Sequence, residues 1–554
     1  MAKDRDEPKP SPPPEGLENA TLDRRLETAD LPAFEAWLQT RAAELAFSLA
    51  STSIQDQTDL YLETEDWRFY RASYVLRMRQ LASAGGVVAQ LRRLDEAAGG
   101  PSSPEPRCEV SEQLADDKLE TLRGASGPVG QRARALAGVT AIRPLFAMQT
   151  RRKSVSVAHA SGLAVEVGMD ETCILRGPGQ EPARLQQVRV TGSGPAAVAM
   201  AALIDEGCRQ GVLQRAERST YAVGLEVLAL TPVPAPEFGP TDITDTLSFG
   251  EMALAVLRRH FAALLAHEPG ARLGDDPEGV HRMRVATRRL RAALSLFANG
   301  LPRRPTGLRD ELRWVAAGLG EVRDLDVQLE RVAAWQAEGS LSEPGVLDPL
   351  KAVLEGQRTR ARSRLLGMLD TRRYAHLVQA FSTLLESRAP RRLRQPIARR
   401  PAVKGMPALI VDRYHQLRQA GDDLTEVSPP QAYHGLRIRG KRLRYALEFV
   451  TGLYGEAADE LARSVVALQD LLGLLQDAMV AMAQLRALLD RHGRRLPPPT
   501  VFAMGEIAQR YAHQVTNCVQ RFPDVYRQVQ GKPWKRLRQA MKARGRPKTP
   551  GRAG

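Results

Sequence analysis

The sequence predicts an α+β domain followed by a larger all-helical domain that contains an internal repeat. Before residue 232, short runs alternate apolar and polar residues as strands do, and they are mixed with helical stretches. From about residue 243 to 530, apolar residues recur with the helical period instead. At an offset of 153 residues, "HRMRVATRRLRAALSLF" (281–297) aligns without a gap on "HGLRIRGKRLRYALEFV" (434–450). This match predicts two helical units packed about a pseudo-two-fold axis.

Composition divides the chain further into five segments. Residues 1–18 are charged and proline-rich, which predicts a disordered tail without the apolar segment of a signal peptide. In residues 19–232, "DLPAFEAWLQTRAAEL" has a helical pattern, whereas "TDLYLET", "YVLRMRQ", "SVSVAHA", "LAVEVGM" and "QQVRVTG" alternate as strands do. Four prolines between residues 230 and 242 predict a linker, which we place over 233–242. The helical domain follows over 243–530, and residues 531–554 predict a basic tail with a frayed helix.

The overall composition is that of a soluble intracellular protein. Apolar residues make up 43% of the 554 residues and charged residues 26%, which is ordinary for folded globular chains. The four cysteines form no CxxC pair, so neither a disulfide framework nor a zinc site is indicated. No run of about 18 apolar residues predicts a membrane span. We therefore expect a cytoplasmic location and no membrane partner.

The positive charge is concentrated in the second part of the chain. Residues 1–240 contain 27 Lys and Arg against 32 Asp and Glu, a net charge of −5. Residues 241–554 contain 52 against 32, a net charge of +20. This asymmetry indicates a polyanionic partner for the helical part, whether nucleic acid, anionic lipid or a phosphate polymer.

Two rows of positive charge lie on the repeated helices. At about 100° per residue, the histidine and basic residues fall on one face of each helix and the apolar residues on the other. Neither row includes an acidic residue. The rows consist of His281, Arg284, Arg288 and Arg291 in the first repeat and His434, Arg437, Lys441 and Arg444 in the second.

Two hypotheses account for these rows. A row of like charge destabilises a helix slightly, so facing carboxylates could neutralise it inside the bundle. Asp324 and Asp477 are the candidates, because "LGEVRDLD" (319–326) matches "LGLLQDAM" (472–479) at the same offset. Alternatively, the rows bind an external polyanion. Arginine grips phosphate oxygens in bidentate fashion, and histidine adds a donor or a pH-dependent charge.

These motifs resemble the CHAD family, the conserved-histidine α-helical domain, over about residues 243–530. The family pattern is two helical units that each open with His-x-x-Arg and continue with a basic row, together with "LGEVRDLDVQL" and "LYG" (453–455). The resemblance implies a domain that binds inorganic polyphosphate and is often associated with polyphosphate granules. It implies that the eight row positions bind phosphate, as does Arg323 in "LGEVRDLDVQL".

The first 230 residues resemble a CYTH domain, in which an antiparallel β-barrel forms a tunnel that binds a triphosphate and a divalent metal. The resemblance rests on "TDLYLETEDWRFYRASYVLRMR" (58–79), "RPLFAMQTRRKSVSV" (143–157) and "LAVEVGMDE" (163–171), which follow the family's order. It implies residual phosphate binding at Arg77, Arg79 and Arg152, and at Arg92 or Arg93.

The glutamates that hold the metal in that family have no counterpart in this sequence. The family's first strand carries Glu-x-Glu-x-Lys, which "ENATLDRRLE" (18–27) lacks, and the later glutamate-rich strand corresponds to "LQQVRVTG" (185–192), which contains no acid. Divalent cations need several oxygen ligands, and Glu109, Glu166 and Asp170 are few. We therefore expect no metal site, no cofactor and no catalysis.

Three functions are compatible with the sequence. The first is a polyphosphate-binding protein that clamps the polyanion between the two rows. The second is a metal-dependent triphosphatase or polyphosphatase in the N-terminal tunnel. The third is a nonspecific nucleic-acid binder, which would use aromatic stacking or a base-reading motif. Aromatic residues make up only 5% of the chain, so nucleic acid is not expected as a specific partner.

Overall fold

The chain forms two compact units, Met1–Ala235 and Pro236–Gly554. Their boundary falls inside the predicted linker. The predicted tail over 1–18 lies outside the residues that the structure describes. This computed structural model describes residues 21–44, 47–82, 86–94, 109–159, 164–175, 182–301, 306–337, 345–386 and 396–545.

A nine-stranded sheet forms the frame of the N-terminal unit in its described residues. All neighbouring strands pair antiparallel, in the order β5-β4-β3-β2-β6-β7-β8-β1-β9. The predicted α+β class with an antiparallel sheet is confirmed. The strands are β1 Thr21–Glu27, β2 Phe47–Thr64, β3 Tyr74–Leu81, β4 Val87–Arg93, β5 Glu109–Leu114, β6 Ile142–His159, β7 Ala164–Ile174, β8 Ala183–Ser193 and β9 Gln214–Arg215.

The sheet is open, which differs from the closed barrel that the CYTH resemblance implies. In the described part of the chain, β5 and β9 are the two edges and do not pair with each other. The edge strand β9 has only two residues, Gln214 and Arg215, which is too short to supply a ladder for closure.

The two faces of the sheet differ in polarity because successive side chains of a strand point to opposite sides. One face carries an apolar core that includes Leu26, Val157, Val167 and Val188, and it packs against helices from the same unit. The opposite face carries the charged residues described below and also a second apolar cluster, which includes Tyr61, Phe146 and Met148. The helices of this unit are α1 Leu31–Glu44, α2 Arg68–Arg71, α3 Leu119–Gly124, α4 Pro128–Ala137, α5 Gly194–Arg209 and α6 Thr220–Val227.

The second unit is all-helical, as predicted, and its described residues form two sets of five helices. The offset of 153 residues places the start of α7 on the start of α12 and the start of α8 on the start of α13. The first set is α7 Phe249–Leu273, α8 Pro277–Leu296, α9 Thr306–Ala337, α10 Asp348–Leu369 and α11 Arg372–Leu385. The second set is α12 Ala402–Gly421, α13 Pro430–Tyr454, α14 Glu456–His492, α15 Pro498–Gln530 and α16 Lys532–Gly545.

A symmetric pair of backbone hydrogen bonds joins the two sets. The Phe249 amide donates to the Arg400 carbonyl at 2.7 Å, and the Ala402 amide donates to the Leu247 carbonyl at 2.8 Å. The two donors, Phe249 and Ala402, are 153 residues apart, and so are the two acceptors, Leu247 and Arg400. In addition, α7 packs on α12 and α8 packs on α13, so equivalent helices contact each other. This is the arrangement that a two-fold axis produces.

The first part of the segment predicted as a basic tail with a frayed helix is a packed helix. Residues 532–545 form α16, which packs on α12, α13, α14 and α15. Trp534, Leu537 and Met541 are buried, and the Trp534 ring stacks on Tyr414 with centroids 3.7 Å apart. Apolar residues spaced three and four apart give this basic segment one apolar face, so it folds as an amphipathic helix.

One helix among the described residues is long and apolar enough to cross a membrane by length and composition. It spans Glu456–Arg495, and 44% of its most apolar window is buried within the unit. Its apolar side chains, which include Leu461, Leu468 and Leu475, belong to the core formed with the neighbouring helices. It therefore has the features of the central helix of a packed bundle.

Candidate functional site

The two repeated helices present the predicted faces. On α8 the Asp276 side chain accepts a hydrogen bond from the Glu278 amide at 2.8 Å, and Pro277 occupies the first turn. This cap fixes where α8 begins and so which residues face the core. The apolar face is buried in both helices, at Met283, Leu290 and Leu294 in α8 and at Leu436, Leu443 and Leu447 in α13.

Four basic residues from the two rows converge where α8 packs on α13. Arg284 and Arg288 come from α8, and Arg437 and Lys441 come from α13; each is partly buried. We call these four residues the cation cluster. Burial, and then the charges of Arg437, Arg288 and Arg284, lower the pKa of Lys441 to about 7. The two rows are thus close enough to repel each other across the repeat interface.

Burial and neighbouring positive charges also disfavour the charged form of Arg288. Burial lowers the pKa of its guanidinium, and Arg284 and Arg444 add to this effect. Its guanidinium carbon lies 5.7 Å from the centroid of the Tyr445 ring. The Nε atoms of Arg288 and Arg437 are buried without a hydrogen-bond partner in the described part of the chain. Buried donors normally have partners, so these two Nε atoms are unusual in being unsatisfied.

The two histidines lie at the beginning of the rows. Burial lowers the pKa of His281, and the nearby charges of Arg323, Arg288 and Arg284 act in the same direction. His434 is exposed, and its Nδ1 lies 2.9 Å from Oε1 of Gln476. Each imidazole can therefore donate to a phosphate oxygen at the edge of the cation cluster.

The predicted acids neutralise the cluster only weakly. Arg284 Nη2 lies 4.0 Å from Asp324 Oδ1, and Asp477 contacts Arg331 at 3.6 Å and no cluster residue. Asp324 and Asp477 occupy equivalent positions. Burial raises the pKa of Asp324, the charge of Arg284 lowers it, and the charge of Asp477 adds to the increase. Most of the positive charge of the cluster therefore has no internal counterion within ion-pair distance among the described residues.

Three predicted site residues lie in other environments. Arg444 donates to Glu448 at 2.6 Å, and Glu448 also accepts from Arg289 at 3.1 Å. Burial lowers the pKa of Arg291, whose charged neighbours are Arg313, Arg309 and Asp310 on α9. Arg323 forms an ion pair with Glu330 at 2.8 Å. Arg444 and Arg323 therefore have carboxylate partners at short distance.

A groove beside the cluster was not predicted. Its volume is about 530 Å³, and it lies between α9, α10 and α14, beginning at Asp324. Arg360, Arg364, Arg491 and His492 line it, and Arg364 pairs with Glu321. The lining residues come from three helices, two consecutive in the chain and the third about a hundred residues later, so no local sequence pattern joins them.

The predicted arginines of the sheet lie together but are paired with acids. Arg79 donates to both carboxylate oxygens of Asp59, at 2.7 and 2.8 Å, and Arg77 lies 3.6 Å from the same carboxylate. Arg152 donates to both oxygens of Asp170, at 2.7 and 2.6 Å, and this contact raises the pKa of Arg152. The polar face of the sheet thus supplies its own counterions.

Asp59, which the sequence did not single out, is the acid that pairs with Arg77 and Arg79 on this face. Its side chain is buried, and it pairs across the sheet with Arg79. The alternation of "TDLYLET" could have identified Asp59, because it places Asp59 and Tyr61 on the face that carries Arg77 and Arg79. Within the described residues, no group of three or more His, Cys, Asp or Glu side chains is placed to hold a metal ion.

Residues 255–486 match the model of the CHAD domain family. A search of curated proteins gives no match. Among solved structures, the CHAD domain from the plant Ricinus communis is 24% identical with a TM-score of 0.45, covering 55% of this chain and 97% of that chain. PptA from Streptomyces chartreusis is 22% identical with a TM-score of 0.41, covering 50% and 99%. A putative adenylyl cyclase from Hippeastrum, described as having a dominant triphosphatase activity, is 15% identical with a TM-score of 0.27, covering 38% and 97%.

Proposed function

Because residues 255–486 form a CHAD domain, we propose that this chain binds inorganic polyphosphate at the cation cluster. The observation that carries the proposal is the convergence of Arg284, Arg288, Arg437 and Lys441 without a close counterion. A linear polyanion placed there would replace repulsion among the cations with attraction. His281 and His434 would add donors at the ends of the rows.

The surface of the helical unit favours a phosphate chain over a single-stranded nucleic acid. Binding of single strands uses exposed aromatic rings on which bases stack. In the described part of this unit, Phe502 is the one exposed aromatic side chain, and Tyr445 beside the cluster is buried. Phosphates could be gripped here, whereas bases would lack a stacking platform.

The N-terminal unit acts in this proposal as a scaffold without catalytic activity. Its arginines are held by Asp59 and Asp170, so an incoming triphosphate would have to displace those carboxylates. The protein would act in the cytoplasm and would associate with polyphosphate granules, with no membrane partner and no cofactor.

The decisive experiment is a titration of the full chain with long-chain polyphosphate at physiological salt. Removing Arg284 and Arg437 together (Arg284→Ala, Arg437→Ala) should weaken binding at least about tenfold, because charge-assisted hydrogen bonds contribute about 1.5–3 kcal/mol each. The matched control removes two exposed lysines of α16 (Lys535→Ala, Lys542→Ala), which deletes the same charge away from the cluster. We expect the control to lose little affinity.

Equal losses of polyphosphate affinity in the two double variants would indicate that the protein binds polyanions through its overall charge and not at the cation cluster. Affinity should also fall steeply with salt concentration, because bound counterions are released on binding. Duplex DNA and single-stranded RNA are added as competitors, and easy displacement by either would contradict the proposal. Phosphate release in the presence of Mg²⁺ would instead support the tunnel as a triphosphatase.

A further inference from the structure

Building on the polyphosphate proposal, we propose that Lys441 makes polyanion binding take up a proton near neutral pH, so that affinity falls as the solution becomes alkaline. Lys441 is partly buried on α13, where this helix packs on α8. The charged groups that act on it are Arg437 on its own helix, Arg284 and Arg288 on α8, and Asp477 on α14.

Among the described residues, no carboxylate forms an ion pair with Lys441. The charge of Asp477 favours the ammonium, but Asp477 pairs with Arg331 at 3.6 Å. The helices α12 and α16 also pack on α13, and among the described residues neither forms an ion pair with Lys441. Burial and three neighbouring guanidinium groups therefore lower the pKa of Lys441 to about 7. Lys441 can therefore lose its proton close to neutral pH when no anion is bound.

The repeat shows why this position is special. The offset of 153 residues makes Lys441 the equivalent of Arg288. Both side chains are partly buried in the same cluster, but a guanidinium does not lose its proton in proteins, whereas a lysine shifts its pKa readily on burial. Of the four cluster residues, Lys441 is therefore the one that can release a proton.

A bound phosphate chain would reverse the effect of the neighbouring cations. Its negative charge favours the ammonium, so the pKa of Lys441 would rise toward the ordinary lysine value of about 10.4. A group whose pKa rises on binding takes up a proton, and affinity then falls as pH increases between the free and the bound pKa. We expect a loss of at least about tenfold between about pH 7 and pH 9.

The test is calorimetric titration of the full chain with long-chain polyphosphate at fixed ionic strength. Titrations between about pH 7.5 and 9, in buffers with different ionisation enthalpies, give the number of protons taken up. Histidine ordinarily titrates near about pH 6.5, below this window, and long chains have few titrating ends. Wild type should take up close to one proton per site, and Lys441→Arg should take up none and keep its affinity at high pH.

A second variant tests independently whether a lysine in the cluster causes the proton uptake. Arg288→Lys places a second lysine in the cluster, so it should take up more protons than wild type and lose affinity more steeply above neutral pH. Wild-type binding without proton uptake, or uptake that persists in Lys441→Arg, would overturn the role of Lys441. Failure of wild type to bind polyphosphate at any pH would instead overturn the proposed function.

Discussion

The ammonium of Lys441 lies near three guanidinium groups, and their repulsion destabilises the folded state when no anion is bound. In the unfolded chain the same lysine is solvated and keeps its ordinary pKa of about 10.4. The folded state therefore binds fewer protons between about pH 7 and pH 10, and the cost of charging Lys441 is fully present below that window. As pH rises through this window, the free energy of unfolding therefore increases.

Lys441→Met should therefore stabilise the protein without ligand while weakening polyphosphate binding. The increase in Tm over wild type should be largest near about pH 6 and should shrink toward about pH 10, because the lysine is then neutral in the folded state and the solution pH approaches its unfolded pKa of about 10.4. Thermal unfolding followed by circular dichroism at several pH values measures this. The control is Lys535→Met on the exposed face of α16, for which we expect little change; a Tm of Lys441→Met below wild type would contradict the prediction.

Helical periodicity was sufficient to predict which residues of α8 and α13 face the core and which form the rows. It also contained a signal that was overlooked, because Glu448 continues the second row four residues after Arg444 and binds it. The convergence of Arg284 with Lys441 could not be predicted from either helix. It depends on how α8 crosses α13, and this crossing is set by packing between residues far apart in sequence.

Among the secondary-structure elements, α16 differs most from its prediction. Its basic composition indicated a tail with a frayed helix, but one apolar face is enough to dock a helix when a partner surface is available. The position of Trp534 on Tyr414 shows where that surface lies, since the two rings stack at 8°. Sequence composition alone could not show this, because the partner is on α12, more than a hundred residues earlier.

Trp534→Ala should destabilise the helical unit by about 3–5 kcal/mol, as expected for removing a large buried aromatic side chain. Urea unfolding monitored by the helical circular dichroism signal gives the change in the free energy of unfolding. Lys535→Ala, at the neighbouring exposed position, should change it by less than about 0.5 kcal/mol. A Trp534→Ala variant as stable as this control would mean that α16 does not dock in solution.

At the scale of the whole molecule, positive charge is distributed differently in the two units. In the sheet, Arg79 and Arg152 are satisfied by carboxylates on adjacent strands, whereas the cation cluster has no comparable partners among the described residues. The antiparallel sheet was predictable from alternation and from the family resemblance. Its open edge was not, because closure depends on strands such as β9 whose two residues carry no pattern.

Arg79→Ala should leave polyphosphate affinity unchanged and should destabilise the N-terminal unit by about 3 kcal/mol, because the buried Asp59 loses its bidentate partner. The control is Arg189→Ala, which removes a longer and more exposed pair with Asp23 and should cost much less. Affinity and Tm are measured on the same preparations. A loss of polyphosphate affinity in Arg79→Ala would show that the sheet takes part in binding.

The paired hydrogen bonds at Leu247, Phe249, Arg400 and Ala402 have a consequence for how the protein can change by mutation. A homodimer with this geometry would have to carry the same residue at both symmetry-related positions, because one gene would encode both. Since both halves belong to one chain, each position mutates alone. Arg288 and Lys441 show the outcome, a permanent charge on one side of the axis and a titratable charge on the other.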